Sequence, residues 1–540
     1  ARESLLSIVS SILSKKSLLR SVSNAALFVE GDEVNEKRIL LILHWQSLFR
    51  MLWRTAPYLD ETQTSQPPQD SNSRQSTVLR RSVHMIRHTR RFFDQGIRPY
   101  GDTTNLRIDA TALDIWNMVE SDVLYRTHSY ACYRGMILMF LFQPTRCSTK
   151  YYLDLLPKWF EGWTNIDRCH ELDFLWLVLF CRARKHLPSD NSYDWGPIRR
   201  RLLTHGQYWL QVPVGGASMD GSFPRAPNPR SRSCPSRLKA LVGNSSSYEE
   251  GIDFIAKVSK LLTVNIGMDP SPNGGTSQGT LDILRLLSFV TPYFNPSNIG
   301  NWTFTLGAFL HYFSYEICHR AGVAASLTSM KSTKPEVYEA LLKAEPSLAN
   351  VAIDPNELVL LFDALLPLCQ QSLYSKNGHV GRAGEAAMVY LTQVDHRIAA
   401  PFLDFATQAL DISAVNLAHQ APAALSAMTR LVQPSLRRNP SILLQRLPDM
   451  LRLSLAGIDS NDQNKSIRTL IFYRNLLSWV PIGFDASRAT TTTSNNTAME
   501  EDNDDAAALT GTLRIAGDMS DCLASITNSQ EYIDALGELP

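Results

Sequence analysis

His84 and His88 stand four residues apart, so on a helix their imidazoles share a face and offer two nitrogens to a divalent cation. A zinc site needs at least a third ligand, and none stands at a recognisable spacing, so a solvated basic face is the plainer reading. Cys169-His170 and Cys318-His319 each place a thiol beside a base in sequence. Adjacent residues diverge on a helix, where only i+3 and i+4 neighbours share a face, so both pairs read as a core cysteine next to a surface histidine. His170-Glu171 lacks the second histidine of H-E-x-x-H, and Ser218 in Gly216-Ala-Ser-Met-Asp220 lacks the second glycine of a nucleophile elbow. No Walker phosphate cradle and no G-x-G-x-x-G after a strand occurs. The sequence therefore yields no catalytic, cofactor-binding or metal-binding residue, and no cofactor is expected.

Arg74, Arg80, Arg81, Arg87, Arg90 and Arg91, with the two histidines, give residues 74–91 a positive bias suited to phosphate, an acidic protein or nucleic acid. The alternative is an ordinary solvated face. Phe92 and Phe93 read as core, not as a stacking platform for single-stranded nucleic acid. Over 540 residues, 53 Lys+Arg oppose 52 Asp+Glu, a formal net charge of +1, so direct nucleic-acid binding is not expected from the whole chain. Eight cysteines are scattered without C-x-x-C spacing, which suits a reducing compartment. Asn244, Asn301, Asn464 and Asn495 match N-x-[ST], read as chance in the absence of a visible secretory signal. Residues 1–23 partly fit a transit peptide but read more simply as an amphipathic helix. The longest apolar runs, 136–142 and 174–181, fall short of the roughly 20 residues a spanning helix needs, so no membrane segment is expected.

With 44% apolar residues the chain has enough to bury a large core, and its periodicity is helical almost throughout. Helices are expected near 3–20, 36–56, 76–94, 111–121, 123–143, 149–163, 168–186, 195–210, 249–264, 279–293, 298–320, 334–343, 355–375, 382–395, 399–411, 418–433, 440–456, 463–479 and 506–526. The clearest start is Asp354-Pro-Asn-Glu357: an N-cap, a proline at the first helical position and a glutamate placed for a capping box. Leu358, Leu361, Phe362, Leu365 and Cys369 then make one apolar stripe. Asn439-Pro440, followed by Leu443, Leu444, Leu447 and Leu451, repeats the signal, and Ala400-Pro401 opens a third helix. These starts recur about every 40 residues with a second helix in each interval, the period of HEAT and armadillo arrays. The expected fold is all-α: a HEAT/armadillo-like α-solenoid of stacked helix pairs with long flexible loop insertions. An irregular helical domain is the alternative.

Composition divides the chain further. Residues 1–58 read as N-terminal helical repeats, 59–75 as a flexible linker, 76–212 as helical repeats and 213–248 as a disordered loop rich in Gly, Ser, Pro and Arg. Residues 249–482 read as HEAT-like repeats, 483–505 as a disordered loop ending in acidic Glu500-Glu-Asp-Asn-Asp-Asp505, and 506–540 as a last helix where the array is cut.

Two runs resemble motifs of one family. Phe294, Pro296, Ser297, Asn298, Gly300 and Trp302 match an F-x-P-S-N-x-G-x-W run, and residues 455–465 match an L-x-G-x-D-x-N-D-x-x-K turn, both similar to those of the large HEAT-repeat proteasome activator family (proteasome activator complex subunit 4). Weaker likenesses follow in the same order: Leu5–Lys16 to an early helix, Leu155–Trp163 to a Trp-containing helix, and Asp194-Trp195 with Val212–Gly215 to a W-x-P helix and its exit loop. The resemblance implies the N-terminal portion of a much longer chain.

It also implies a function: ATP-independent, non-catalytic capping of the proteasome core particle at its α ring, promoting ubiquitin-independent degradation of peptides and unstructured proteins. It implies nuclear and cytoplasmic localisation, a link to DNA repair, and acetylated-histone binding through a region outside this chain. The family's gate-opening tail, hydrophobic-Tyr-X, is not matched by Leu536–Pro540. The family's inositol-phosphate residues cannot be aligned to positions here, so no such site is placed on Arg80 to Arg91. A general HEAT scaffold or transport adaptor binding extended partners is the alternative, and a helical enzyme domain is a third reading that no residue spacing supports.

Overall fold

The computed structural model describes residues 147–165, 170–187, 194–210, 250–269, 275–298, 303–411, 419–459 and 461–480, with short helical stretches between 112 and 124. Among the described residues there are fourteen α-helices and no strand. In chain order they are α1 (Thr149–Asn165), α2 (His170–His186), α3 (Gly196–Leu210), α4 (Glu250–Val264), α5 (Gln278–Val290), α6 (Thr303–Thr333) and α7 (Pro335–Ala344). Then follow α8 (Pro355–Leu373), α9 (Gly378–Val394), α10 (Ala399–Gln408), α11 (Gln420–Arg438), α12 (Pro440–Leu444), α13 (Leu447–Leu455) and α14 (Gln463–Trp479). The helices expected at 3–20, 36–56, 76–94 and 506–526 lie outside the described residues, as do the segments 59–75, 213–248 and 483–505.

The chain falls into two compact units: Ala1–Leu202 with Pro224–Leu261 and Leu327–Val351, and Leu203–Phe223 with Leu262–Ser326 and Ala352–Pro540. The first is built on aromatic residues. Trp116, Tyr152, Trp159, Trp163, Trp176 and Phe180 are all fully buried. Trp116 meets Trp159 edge-on at 6.5 Å, and Trp163 tilts onto Phe180 at 5.2 Å, spacings at which aromatic pairs gain beyond their buried area. Gly162 lets α1 approach α2: a Cβ there would lie 3.0 Å from the Trp176 ring and 3.1 Å from Leu124. The Trp-containing likeness at Leu155–Trp163 is thus a core-packing motif. Asp194 Oδ1 accepts the Gly196 amide at 2.9 Å before α3, and the neighbouring Trp195 is buried against Phe180.

The second unit stacks helix pairs in two layers. One layer runs α5, α8, α10 and α12–α13, each packed on the next. In the other, α9 packs on α11 and α11 on α14, while Gly307 of α6 sits 3.2 Å (from its would-be Cβ) off Val380 of α9. Of the expected stripe, Leu361, Phe362, Leu365 and Cys369 are buried and Leu358 is half-buried; Leu443, Leu444, Leu447 and Leu451 are buried too. A helix pair cannot cover its own apolar faces, so each repeat is completed by its neighbour.

Polar ties fix the stacking register. Asn377 Nδ2 donates to Thr303 Oγ1 (2.6 Å), Asn475 Nδ2 to Thr429 O (2.5 Å), and Arg446 grips Asp404 through Nε and Nη2 (2.5 and 3.0 Å). Buried Arg320 of α6 donates to the carbonyls of Thr263, Ile266 and Ala352 at 2.6, 3.1 and 3.3 Å. Two of these carbonyls belong to the end of α4 and the turn after it, where a cation meets the negative end of the helix.

Asp354 caps α8 as its sequence requires, accepting from the amides of Asn356 and Glu357. Glu357 does not complete a capping box. Its carboxylate instead accepts the Ser277 amide (2.8 Å) and the Thr280 hydroxyl (2.9 Å), both buried at the start of α5. The expected helix 298–320 is described from Thr303 and runs on to Thr333, because beyond residue 320 no Pro or Gly breaker intervenes before Pro335 except Gly322, which the helix tolerates as it does Gly307. Its last turns are mostly exposed and so leave no apolar period to read. The expected 440–456 helix divides at Gln445 and Arg446, because Pro448 cannot donate back to Leu444 and its ring would crowd that carbonyl.

Candidate functional site

The two family-like runs are structural devices. In the first, Asn298 Nδ2 donates to Tyr293 O (2.8 Å), Asn295 Oδ1 accepts the Ser297 amide (3.0 Å), and the Lys376 amide reaches Pro296 O (3.3 Å). The turn between α5 and α6 is thereby closed on itself and tied to the α8–α9 turn, with Phe294 buried beneath it. Gly300 and Trp302 lie outside the described residues. In the second, a side chain at Gly457 would overlap Thr469 Oγ1 and sit 2.9 Å from Ser454 O, so α13 and α14 can close only on glycine. Asp459 Oδ1 accepts the Asn461 amide (2.8 Å), Ser466 Oγ holds both backbone groups of Asp459 (2.9 and 2.6 Å), and Asp462 caps α14 on the Lys465 amide (3.0 Å). These spacings shape turns between repeats.

Two hollows of the second unit lie along the α6, α9, α11 and α14 layer. A groove of about 460 Å³ is lined by Cys318, Ala321, Gly322 and Ala325 of α6, by Val389, Gln393 and Val394 of α9, and by Arg430, Gln433, Pro434 and Arg437 of α11. A second hollow of about 320 Å³ shares Val389, Arg430 and Gln433 with it and extends to Tyr390, Thr429 and Asn475. Arg430, Gln433 and Arg437 fall on one face of α11 because they are spaced i, i+3 and i+7. Arg430 Nε pairs with Glu385 Oε2 at 3.0 Å; the carboxylate is buried while the guanidinium is half exposed. Arg437 lies over the Trp479 ring, 5.8 Å from its centroid. No motif singles these residues out in the sequence, and their helical spacing is the signal available.

This arrangement can bind but holds no assembled nucleophile and base. Cys318 Sγ donates to the Gln393 amide oxygen (3.4 Å), while His319 is exposed with its ring beside Tyr315, so the Cys318-His319 pair diverges as its spacing requires. Cys169, Ser218, His84, His88 and the arginines of 74–91 lie outside the described residues, and nothing is described of the His170 side chain. Among the described residues no group of three His, Cys, Asp or Glu could hold a metal, and no helix is long and apolar enough to cross a membrane.

Beside the groove, His311 meets Tyr390 at 5.5 Å, and Tyr390 meets Tyr315 at the same distance. Burial lowers the His311 pKa and raises that of Tyr390. For His311 the folded state disfavours the proton that the unfolded chain accepts below roughly pH 6.5. Its contribution is therefore fully present above that pH and is lost as pH falls from there through the lower folded value. The opening free energy of α6 and α9 amides, read by hydrogen exchange corrected for the intrinsic pH dependence, is expected to fall from pH 8 to 5, with a shallower slope in His311→Gln; an identical slope in the variant would remove His311 as the source.

Known proteins bear on this geometry. A model of proteasome activator complex subunit 4, mid HEAT repeats region, matches residues 283–512, which take in α6 to α14. The motifs, by contrast, imply an N-terminal portion. The Arabidopsis thaliana protein named proteasome activator subunit 4 is 22% identical over 421 residues, covering 75% of this chain and 20% of that protein. The Danio rerio proteasome activator complex subunit 4A is 22% identical over 352 residues, covering 63% and 16%. The chain thus spans about a fifth or less of the length of these relatives. Both family-like turns lie within the matched region, and the stack, all-helical and strand-free among the described residues, agrees with HEAT repeats. Taken together, the HEAT-type stack, the family model and the two relatives support a family like that of proteasome activator complex subunit 4.

Proposed function

We propose that this chain is part of a non-catalytic, ATP-independent proteasome activator that caps the core particle at its α ring and promotes ubiquitin-independent degradation of peptides and proteins. The observation that carries the proposal is the match of the HEAT stack from residue 283 onward to the activator's mid repeats. The physical role follows from the repeats: neighbours tied at fixed register make a stiff wall, and a wall over a pore acts by position, with no bond-making chemistry of its own. Acetylated histones are a proposed partner of a region outside this chain, and the nucleus and cytoplasm are the proposed compartments.

The test is hydrolysis of a fluorogenic peptide by latent core particle, with the complete gene product added and no nucleotide present. Stimulation that is saturable and unaffected by removing ATP is the expected result. Binding of other extended partners without stimulation would favour the scaffold reading.

A further inference from the structure

We propose that the groove between α6, α9 and α11 is the docking site of this chain's own acidic tract, Glu500-Glu-Asp-Asn-Asp-Asp505. The inference stands independently of any proteasome partner. Three observations converge on it. First, the groove is cationic where it is open: Arg430 is half exposed and balanced by one buried carboxylate, Glu385, while Arg437 is exposed and makes no ion pair among the described residues. Gln393 and Gln433 add amide donors between the two arginines and the apolar floor of Val389 and Pro434. Second, the tract is the matching anion. It carries five carboxylates in six residues, and no Lys or Arg interrupts the chain from Ala489 to Leu513.

Third, the tether starts at the groove. Val480 ends the described chain beside Trp479, whose ring carries Arg437. The twenty positions from Val480 to Glu500 reach at most about 70 Å when extended, ample to return along α11. The tract and the groove belong to one chain, so their encounter carries no bimolecular cost and weak surface ion pairs suffice to fill the groove. The carboxylates would take the guanidinium edges left free by Glu385 and Trp479, and added salt would release them.

Cys318 lines the groove and provides the probe. In the whole chain bearing Asn503→Cys, mild oxidation at low salt should form a disulfide between Cys318 and the thiol introduced in the tract, identified by peptide mapping. Its yield should fall at least about fivefold in 0.5 M salt and likewise in Arg437→Glu or Arg430→Gln. Arg437 is exposed, and Arg430→Gln keeps an amide donor for the buried Glu385 carboxylate; circular dichroism would check that each variant folds, with Arg437→Glu as the variant that leaves the Glu385 pair intact. Neutralising the tract (Glu500→Gln, Glu501→Gln, Asp502→Asn, Asp504→Asn and Asp505→Asn) offers the same test with the groove untouched. The control places the new thiol elsewhere in the chain, as Ser73→Cys. A yield from Asn503→Cys no greater than that from Ser73→Cys, or one insensitive to salt, would overturn the proposal. Disulfides found only between two copies would also overturn it, assigning the tract to a neighbouring molecule.

Discussion

Gly279→Ala is expected to destabilise the α4–α5–α8 junction by about 3 kcal/mol, through overpacking against backbone. A Cβ there would overlap the Asn265 carbonyl oxygen and lie 3.1 Å from Met268 O. No side-chain rotation relieves it, since both atoms are main chain. The backbone itself is held: the Gly279 amide donates to Met268 O and the Gln278 amide to Asp269 O, each at 3.0 Å. Gly267 in this loop has φ +80°, a conformation few other residues adopt. In a chain of two units a single melting curve does not report one transition, so hydrogen exchange of α5 and α8 amides is the better measure. Protection there should drop roughly a hundredfold, while α14 is unchanged. A shift below about 0.5 kcal/mol would mean the loop yields freely.

Glu357→Ala is expected to cost about 3 kcal/mol at the same junction. The carboxylate spans 80 residues of sequence to reach the Ser277 amide, and it also accepts the Thr280 hydroxyl. Truncation leaves two buried donors without their acceptor at the positive end of α5. Thr280 is further committed, since its hydroxyl oxygen accepts the Gly267 amide (3.1 Å) and its amide donates to Ser277 Oγ (3.3 Å). Glu357→Gln keeps the shape and one acceptor, so it should cost about 1 kcal/mol. The Gly279 and Glu357 changes share one network, and the double variant should lose less than the sum. Equal losses in Glu357→Ala and Glu357→Gln would show that charge at the helix start decides the effect. Full additivity of the double variant would show that the two residues act separately.

Most of the helix order from α1 to α14 was legible because most helices carry an apolar stripe and two open on Pro after an Asp or Asn cap. The cap at Asp354 was legible for the same local reason. Glu357's partner was not, because a glutamate three after a cap looks identical whether it turns back to its own helix or crosses to another. The overrun of α6 and the division of 440–456 show the two limits of periodicity: an exposed helix has no stripe, and a stripe continues across a proline break. The groove was invisible because Cys318, Gln393 and Arg430 meet only when three helices stack. The family-like turns were legible as motifs, but their roles required the contacts, such as Gly457 against Thr469.

The most direct measurement is a pull-down of the complete, tagged gene product from native extract without ATP, scored for proteasome core α-subunits. Recovery of core α-subunits without the ATPase cap is the predicted result. Other partners recovered with no core subunit, even at low salt, would contradict the activator account and leave a HEAT scaffold of a different kind.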